Sequence, residues 1–252
     1  MEQYSYIEAA KAKGYDVLLF DCHLDYHFVN LLESKLSDTT FARVDADTID
    51  KLIQKEDVVK PTLSEGEQTD LSSIFQTLLP AGNNYYVQAE NLEETASPIL
   101  ITQSEFMRRY REMSSMGGGM NFYGEMPESY NIVVNMEHPL IKRILDAKGE
   151  ATADKVSSWD ATHAELKGAV AKIDEANKDK KYDEISTADK DEKERLNKEL
   201  EALAGIRKEA MEEFAKGNTL LKQVTDLALL ANNMLKGKEL SDFIKRSTEV
   251  LM

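Results

Sequence analysis

Apolar side chains at helical spacing run through the second half of this chain, and they constrain its fold more than any other feature. From residue 151 onward a mainly apolar seam recurs alternately three and four positions apart, at Val156, Trp159, His163, Leu166, Val170 and Ile173. This heptad seam predicts a long helix that packs against another helix. After the polar residues 177–187, Ser186 and Asp189 predict the start of that second helix, whose apolar face holds Leu196, Leu200, Leu203 and Phe214.

Residues 149–216 are therefore predicted to form an antiparallel helical hairpin. Its remaining faces are rich in charge, which is typical of solvated surface. Because the heptads close on themselves, we expect the hairpin to be separable from the rest of the fold.

Two short apolar helices are predicted after the hairpin, in residues 217–252. Residues 220–235 carry apolar side chains around most of a helix, so burial on several sides is expected. Gly237 separates them from a final amphipathic helix. A symmetric four-helix bundle between two copies of the chain would bury both helices. The residues expected in this homodimer contact are Leu220, Val224, Leu227, Ala231, Met234, Leu240, Phe243 and Ile244.

The first half of the chain mixes strands and helices without regular alternation, which predicts an α+β fold. A small α/β unit comes first, with a helix in 7–13 that ends at Gly14, a strand buried on both faces in 15–20, a helix in 26–36 and a strand in 41–44. A polar linker is predicted in 56–68. Further elements follow, namely a helix in 71–79, strands in 84–92, 98–102 and 130–135, and a helix after Pro139 that Asn135 caps.

Five of the ten methionines lie within residues 107–126, which also contain three consecutive glycines. Methionine is flexible and polarizable, so it suits surfaces that bind many apolar partners. The spacing of Phe106, Tyr110 and Met113 is that of a buried helix face. The residues expected to bind apolar partner proteins are Met107, Met116, Met120, Phe122 and Tyr123.

Composition excludes several classes of protein. A net charge of −15 over 252 residues argues against nucleic-acid binding. A single cysteine allows no internal disulfide and fits a reducing, cytoplasmic location. The first residues lack the pattern of a signal peptide, and no apolar run is long enough to cross a membrane, so we expect no membrane contact.

Catalytic and metal-binding patterns are weak. Cys22, His23 and His27 are ligand types, but their spacing fits no closed metal set, and a loop followed by a helix start is the favoured interpretation. The triple glycine at 117–119 lacks the lysine of a phosphate-binding loop. His138 is interpreted as a residue in the first turn of a helix. We therefore expect no metal, no cofactor and no enzyme active site in these residues.

Several segments together resemble the ninety-kilodalton heat-shock chaperone family, with its bacterial branch the most similar. They are residues 13–19, 24–25, 105–109, 107–126, 131–135, 135–143, 225–231 and 240–246. Asn135 and His138 match the family's Asn-x-x-His step between its last strand and the following helix. The resemblance covers roughly residues 4–148 and 217–252, whereas the hairpin departs from the usual family pattern.

The resemblance implies a dimeric, ATP-driven chaperone whose ATP and Mg²⁺ bind in an N-terminal domain that this segment lacks. It also implies that the five partner-binding residues of 107–126 named above contact unfolded client proteins. Residues 1–60 would be the end of a middle domain and residues 61–252 a C-terminal dimerisation domain, with the hairpin as an insertion. Two alternatives remain open. One is a helical scaffold or adaptor whose hairpin binds a partner protein, and the other is a small metal-dependent enzyme that uses Cys22, His23 and His27.

Overall fold

The structure is a computed structural model that describes residues 3–22, 24–48, 52, 63–104, 128–181 and 184–250. Its helices and strands, in chain order, are α1 (Tyr4–Ala12), α2 (Asp25–Lys35), α3 (Glu65–Gln76), β1 (Asn84–Glu90), β2 (Ile99–Thr102), β3 (Ser129–Asn135), α4 (Pro139–Ala176), α5 (Thr187–Gly217), α6 (Thr219–Ala231) and α7 (Gly237–Val250). This mixture of helices with one small sheet agrees with the predicted α+β class.

The chain divides into two compact units. The first comprises Met1–Pro61, Pro80–His138 and Gln223–Met252, and the second comprises Thr62–Leu79 and Pro139–Lys222. Residues on both sides of the boundary predicted at residue 60 therefore fall in the first unit. The predicted assignment of the two sides to different domains stays a prediction.

The three strands of the first unit form a mixed sheet in the order β1-β3-β2. Strand β1 runs parallel to β3, whereas β2 runs antiparallel to it. The central strand carries Ile132, Val133 and Val134, all without exposed surface, as expected of a strand covered on both faces. The three strands that the sequence predicted in this region are confirmed.

Asn135 was predicted to cap the helix that follows β3. Instead, it lies at the end of β3 and stabilises a turn. Helix α4 begins four residues later, at Pro139. The buried Asn135 side chain accepts hydrogen bonds from the backbone N–H of Leu92 at 3.2 Å and of Glu137 at 3.1 Å, and it donates one to the carbonyl of Glu93 at 2.9 Å. The amide therefore ties the loop after β1 to the end of β3.

The small α/β unit predicted at the start of the chain is only partly present. Helix α1 forms, and Gly14 ends it at φ +79, as predicted for a left-handed residue after a helix. The strands predicted in 15–20 and 41–44 are absent. Instead, Leu18 and Leu19 are 66% and 72% exposed. A strand needs a hydrogen-bonded neighbouring strand, and in the described part of the chain no strand pairs with residues 15–20 or 41–44.

The second unit contains the helical hairpin, but the hairpin begins earlier than predicted. Helix α4 is continuous over 38 residues from Pro139, so no break marks the predicted start at 149. Ion pairs of Asp174 with Lys193 and of Asp160 with Arg207 show that α4 and α5 run antiparallel. The Ser186 hydroxyl accepts a hydrogen bond from the Asp189 N–H at 3.1 Å, which confirms the predicted start of α5.

Helix α3 also begins earlier than predicted, inside the presumed linker. Ser64 and Glu67 form a capping box, in which the Glu67 N–H donates to the Ser64 hydroxyl and the Ser64 N–H donates to the Glu67 carboxylate. Residues 65–68 are therefore helical. The helix buries Leu71, Ile74 and Phe75.

A buried group of charges joins α3 to the hairpin, so the hairpin does not close on itself. Asp70 of α3 is 1% exposed. Its carboxylate accepts two hydrogen bonds from the Arg207 guanidinium, at 2.6 and 3.1 Å, and one from the Lys148 ammonium at 2.8 Å. A Cβ atom on Gly66 would lie 2.8 Å from Arg207 Nη2, so the glycine leaves room for the guanidinium. These contacts argue against the expectation that the hairpin is separable as a whole, which stays a prediction until the hairpin is deleted.

Candidate dimerisation surface and client-contact residues

Helices α6 and α7 carry the residues predicted to form the dimer contact. Asn218 starts α6, because its side-chain oxygen accepts a hydrogen bond from the Leu221 N–H at 2.8 Å. The helix ends in a tight turn, where Asn233 has φ 55 and the Met234 N–H donates to the Leu229 carbonyl at 2.8 Å. Helix α6 is therefore shorter than the predicted span of 220–235.

The predicted dimer residues differ widely in exposure. Leu227 and Ile244 are 51% and 53% exposed, and Ala231 is also exposed. Val224 and Phe243, by contrast, are buried within the chain. The remaining three, Leu220, Met234 and Leu240, are half-buried.

Part of the apolar surface of α6 is thus covered within a single chain. Leu221 and Leu229 are 0% and 1% exposed, and Ala228 is buried as well. The burial of this helix on several sides, which suggested a partner molecule, is therefore in large part intramolecular. Leu227 and Ile244 are the large apolar residues on α6 and α7 that stay mainly exposed.

Polar contacts that the sequence analysis missed lie between α6 and α7. The Arg246 guanidinium donates a hydrogen bond to the Asp226 carboxylate. Next to this ion pair, the Gln223 amide donates to the Ser247 hydroxyl at 2.7 Å, and that hydroxyl donates to the Phe243 carbonyl at 2.9 Å. A signal was available in the sequence, because Asp226 is the one charged residue between Lys222 and Lys236.

Helix α1 is tied to the sheet of the first unit by Tyr6. The Tyr6 hydroxyl donates to the Ile101 carbonyl of β2 at 2.7 Å. Burial, with a smaller contribution from the Asp45 carboxylate, raises the pKa of Tyr6 to about 12. Burial also opposes the charged form of Asp45, but hydrogen bonds from Arg43 and Gln3 outweigh it and lower the pKa of that carboxyl.

All five predicted client-contact residues lie outside the described residues. They are Met107, Met116, Met120, Phe122 and Tyr123. His23 of the alternative metal site is also outside them. Cys22 is exposed, and its backbone N–H donates to the Asp25 carboxylate at 2.8 Å, just before α2. Within the described ranges, no three His, Cys, Asp or Glu side chains are grouped to hold a metal ion, and no helix is both long and apolar enough to cross a membrane.

Comparison with known proteins gives one consistent result. No family model and no solved structure matches the chain. Three curated relatives, each named Chaperone protein HtpG, are 41% identical in Bacteroides thetaiotaomicron, 43% in Porphyromonas gingivalis and 42% in Bacteroides fragilis. Each similarity covers 99% of this chain, hairpin included, but the chain spans only 37% of the relatives' length. With the motifs described above, this identity shows that the chain belongs to the ninety-kilodalton heat-shock chaperone family, as a segment related to HtpG.

Proposed function

We propose that this chain is the C-terminal dimerisation and client-contact segment of an ATP-dependent chaperone that binds unfolded protein in the cytoplasm. The observation that carries the proposal is 41–43% identity to Chaperone protein HtpG over 99% of the chain. ATP and Mg²⁺ would bind in another part of the full-length protein, because no phosphate-binding motif is present in this sequence. No cofactor is assigned to the segment.

We propose further that residues 1–60 are the end of a middle domain and residues 61–252 a C-terminal domain. Exposed Leu18, Leu19 and Phe20 support the first part, because an apolar run of this kind is normally covered. In a full-length protein, another region would then cover them. Amide hydrogen exchange in 15–20 should be slower in the full-length protein than in this chain, and equal rates would contradict the assignment.

The proposed dimer surface consists of the exposed apolar residues of α6 and α7, in contact with the same residues of a second copy. Leu227 and Ile244 are its most exposed large members; the exposed Ala231 and the half-buried Leu220, Met234 and Leu240 complete the proposed set. Pairing of two such two-helix elements gives a four-helix bundle that removes these side chains from water. Each large side chain fully buried there would contribute roughly 1.5–3 kcal/mol.

The test is the double variant Leu227→Glu, Ile244→Glu. Both side chains are already exposed, so the variant should fold, whereas two added carboxylates per copy should prevent association by repulsion and desolvation. Light scattering should therefore report a monomer where the parent chain is a dimer. Phe243 is unsuitable for this test because it is buried within the chain.

Ile206→Glu is the matched control. Ile206 is 56% exposed on α5, outside the proposed surface, so it undergoes the same chemical change at similar exposure. This variant should remain dimeric. A double variant on α6 and α7 that also remains dimeric would contradict the proposed surface.

A further inference from the structure

The contact between α6 and α7 contains four polar residues that are not part of the proposed apolar dimer surface. Asp226 is 3% exposed and pairs with Arg246, while Gln223 pairs with Ser247. These hydrogen bonds and the ion pair link α6 directly to α7. We call Gln223, Asp226, Arg246 and Ser247 the α6–α7 polar cluster.

The polar cluster is not an efficient source of stability. A buried ion pair gains little over an apolar pair of similar volume, because both charges lose their hydration. In addition, Gln223 Oε1 and Arg246 Nε are buried and find no hydrogen-bond partner among the described residues. Each unmet buried group costs free energy. Apolar side chains at these positions would be expected to hold the two helices together at least as well.

An ion pair between two helices does favour one register of one helix along the other. Apolar contacts tolerate sliding and rotation, whereas a charge paired in one register is left unpaired in the others. A slide of one residue along an α-helix turns a side chain by about 100° around the axis. Leu227 follows Asp226 directly, and Ile244 lies two positions before Arg246. A shift of α7 on α6 would therefore displace the two exposed residues relative to each other.

We propose that the Asp226–Arg246 ion pair, assisted by Gln223 and Ser247, fixes the register of α7 on α6 within one chain and so determines the geometry of the dimer surface. This inference rests on the dimer contact proposed above. Asp226 and Arg246 are then positioning residues. Their effect falls on association of two copies more than on the stability of one copy.

The test replaces the ion pair by apolar side chains in the double variant Asp226→Leu, Arg246→Met. Sedimentation equilibrium should show a dimer dissociation constant raised at least about tenfold, or a mixture of oligomers, because the register is no longer specified. Stability is measured separately in the monomeric Leu227→Glu, Ile244→Glu background, so that dimerisation does not contribute to it. There the apolar pair should shift the midpoint of thermal unfolding by no more than about 3 °C.

Two controls separate register from general damage. The same change at an exposed ion pair of α5, Glu199→Leu with Arg195→Met, should leave the dimer dissociation constant unaltered. The charge-swapped variant Asp226→Arg, Arg246→Asp should recover dimer affinity at least in part. If the swapped variant associates no better than the apolar one, the ion pair does not set the register and the proposal is overturned.

The remaining outcomes are also decisive. Parent-like dimer affinity in the apolar variant overturns the register proposal, even if the Leu227→Glu, Ile244→Glu variant is monomeric and the dimer surface is therefore correct. A large loss of stability in the monomeric background reduces the ion pair to a structural role and overturns it too. If the Leu227→Glu, Ile244→Glu variant is still dimeric, the dimer surface itself is misplaced and both proposals fail.

Discussion

Tyr6 couples the stability of the first unit to alkaline pH. Burial raises its pKa to about 12, whereas the pKa of tyrosine in an unfolded chain is about 10. The folded state therefore favours the neutral phenol. Its stabilising contribution is complete below the unfolded pKa and is lost as the pH rises through the folded one.

Tyr6→Phe should therefore remove both a hydrogen bond and a pH dependence. At neutral pH the variant should lose about 1 kcal/mol of unfolding free energy, the usual contribution of one hydrogen bond. Between about pH 9 and 12 its stability should fall less steeply than that of the parent chain. Urea unfolding at several pH values measures both effects. Tyr4→Phe, at a residue 61% exposed, serves as the control and should change neither. Equal pH slopes for the parent and the Tyr6 variant would contradict the prediction.

Asp70 should be among the residues of the second unit least tolerant of substitution. Asp70→Asn removes the negative charge that faces both Arg207 and Lys148. Arg207 then keeps its ion pair with the more exposed Asp160, while the mainly buried Lys148 ammonium loses its carboxylate partner. Loss of one partner from a buried ion pair typically costs about 3–5 kcal/mol of unfolding free energy. Denaturant unfolding should show this loss.

The matched control for Asp70→Asn is Glu65→Gln. Glu65 lies on the same helix and pairs with Lys167, but both side chains are well exposed, so unfolding should be unchanged. An Asp70→Asn chain that unfolds at the same denaturant concentration as the parent would show that the buried charges do not hold the unit together.

Among the helices and strands, the hairpin has a base and a tip with different roles. Near the base, Arg207 of α5 pairs with Asp70 of α3, and Met211 is completely buried. Near the tip, the ion pair of Asp174 with Lys193 involves exposed side chains. The base therefore belongs to the core of the second unit, whereas the tip serves mainly to connect α4 to α5.

Two deletions should consequently behave differently. Replacement of residues 167–200 by a short turn keeps Asp160, Arg207 and Met211, so circular dichroism and gel filtration should show a folded dimer. Excision of residues 151–216 removes all three and uncovers Leu71, Ile74 and Phe75, so it should give aggregated or unfolded protein. A folded, soluble product of the longer excision would contradict the shared core.

The shorter deletion also separates the chaperone proposal from the helical scaffold alternative. If the chain holds unfolded clients through residues 107–126, removal of the tip should leave suppression of client aggregation intact. If the hairpin is instead a docking surface for a partner protein, removal of the tip should abolish partner binding. Substitution of the methionines in 107–126 should then leave partner binding unchanged.

For the molecule as a whole, the proposed role in client binding predicts that substitutions in residues 107–126 lower the affinity for unfolded clients without lowering the stability of the fold. Met116, Met120 and Phe122 changed together to serine should cost little stability if these side chains are exposed. The same variant should bind unfolded protein more weakly, because each apolar side chain buried at a contact can contribute ~1.5–3 kcal/mol. Thermal unfolding and client affinity are measured on the same protein.

Serine at two exposed apolar residues elsewhere provides the control for the client-binding test. Tyr86 and Ile206 are 59% and 56% exposed, so Tyr86→Ser with Ile206→Ser removes similar apolar surface outside residues 107–126. Client affinity should be unaffected in this control. A methionine variant with large loss of stability would assign the segment to a core, and one with unchanged affinity would exclude it as the client site.

The structural features that depend on residues close together in the sequence could be predicted from the sequence alone. Helical spacing predicted α4 and α5, alternation and apolar runs predicted the three strands, and local signals marked Gly14 and Ser186 as an end and a start. These features follow from backbone geometry and from contacts a few residues apart, which the order of residues encodes directly. The motifs that indicated the chaperone family are likewise short runs of neighbouring residues, so the sequence is enough to recognise them.

Which residues are covered, and by what, depends on tertiary packing. Residues 15–20 have the composition of a buried strand but are largely exposed, because a strand forms only against a neighbouring strand. Asp70 and Arg207 are 137 positions apart, and no local pattern pairs them. Leu227 and Leu229 are equally apolar, yet one is exposed and the other buried. Burial is set by the packing of distant segments, which spacing along the chain does not reveal.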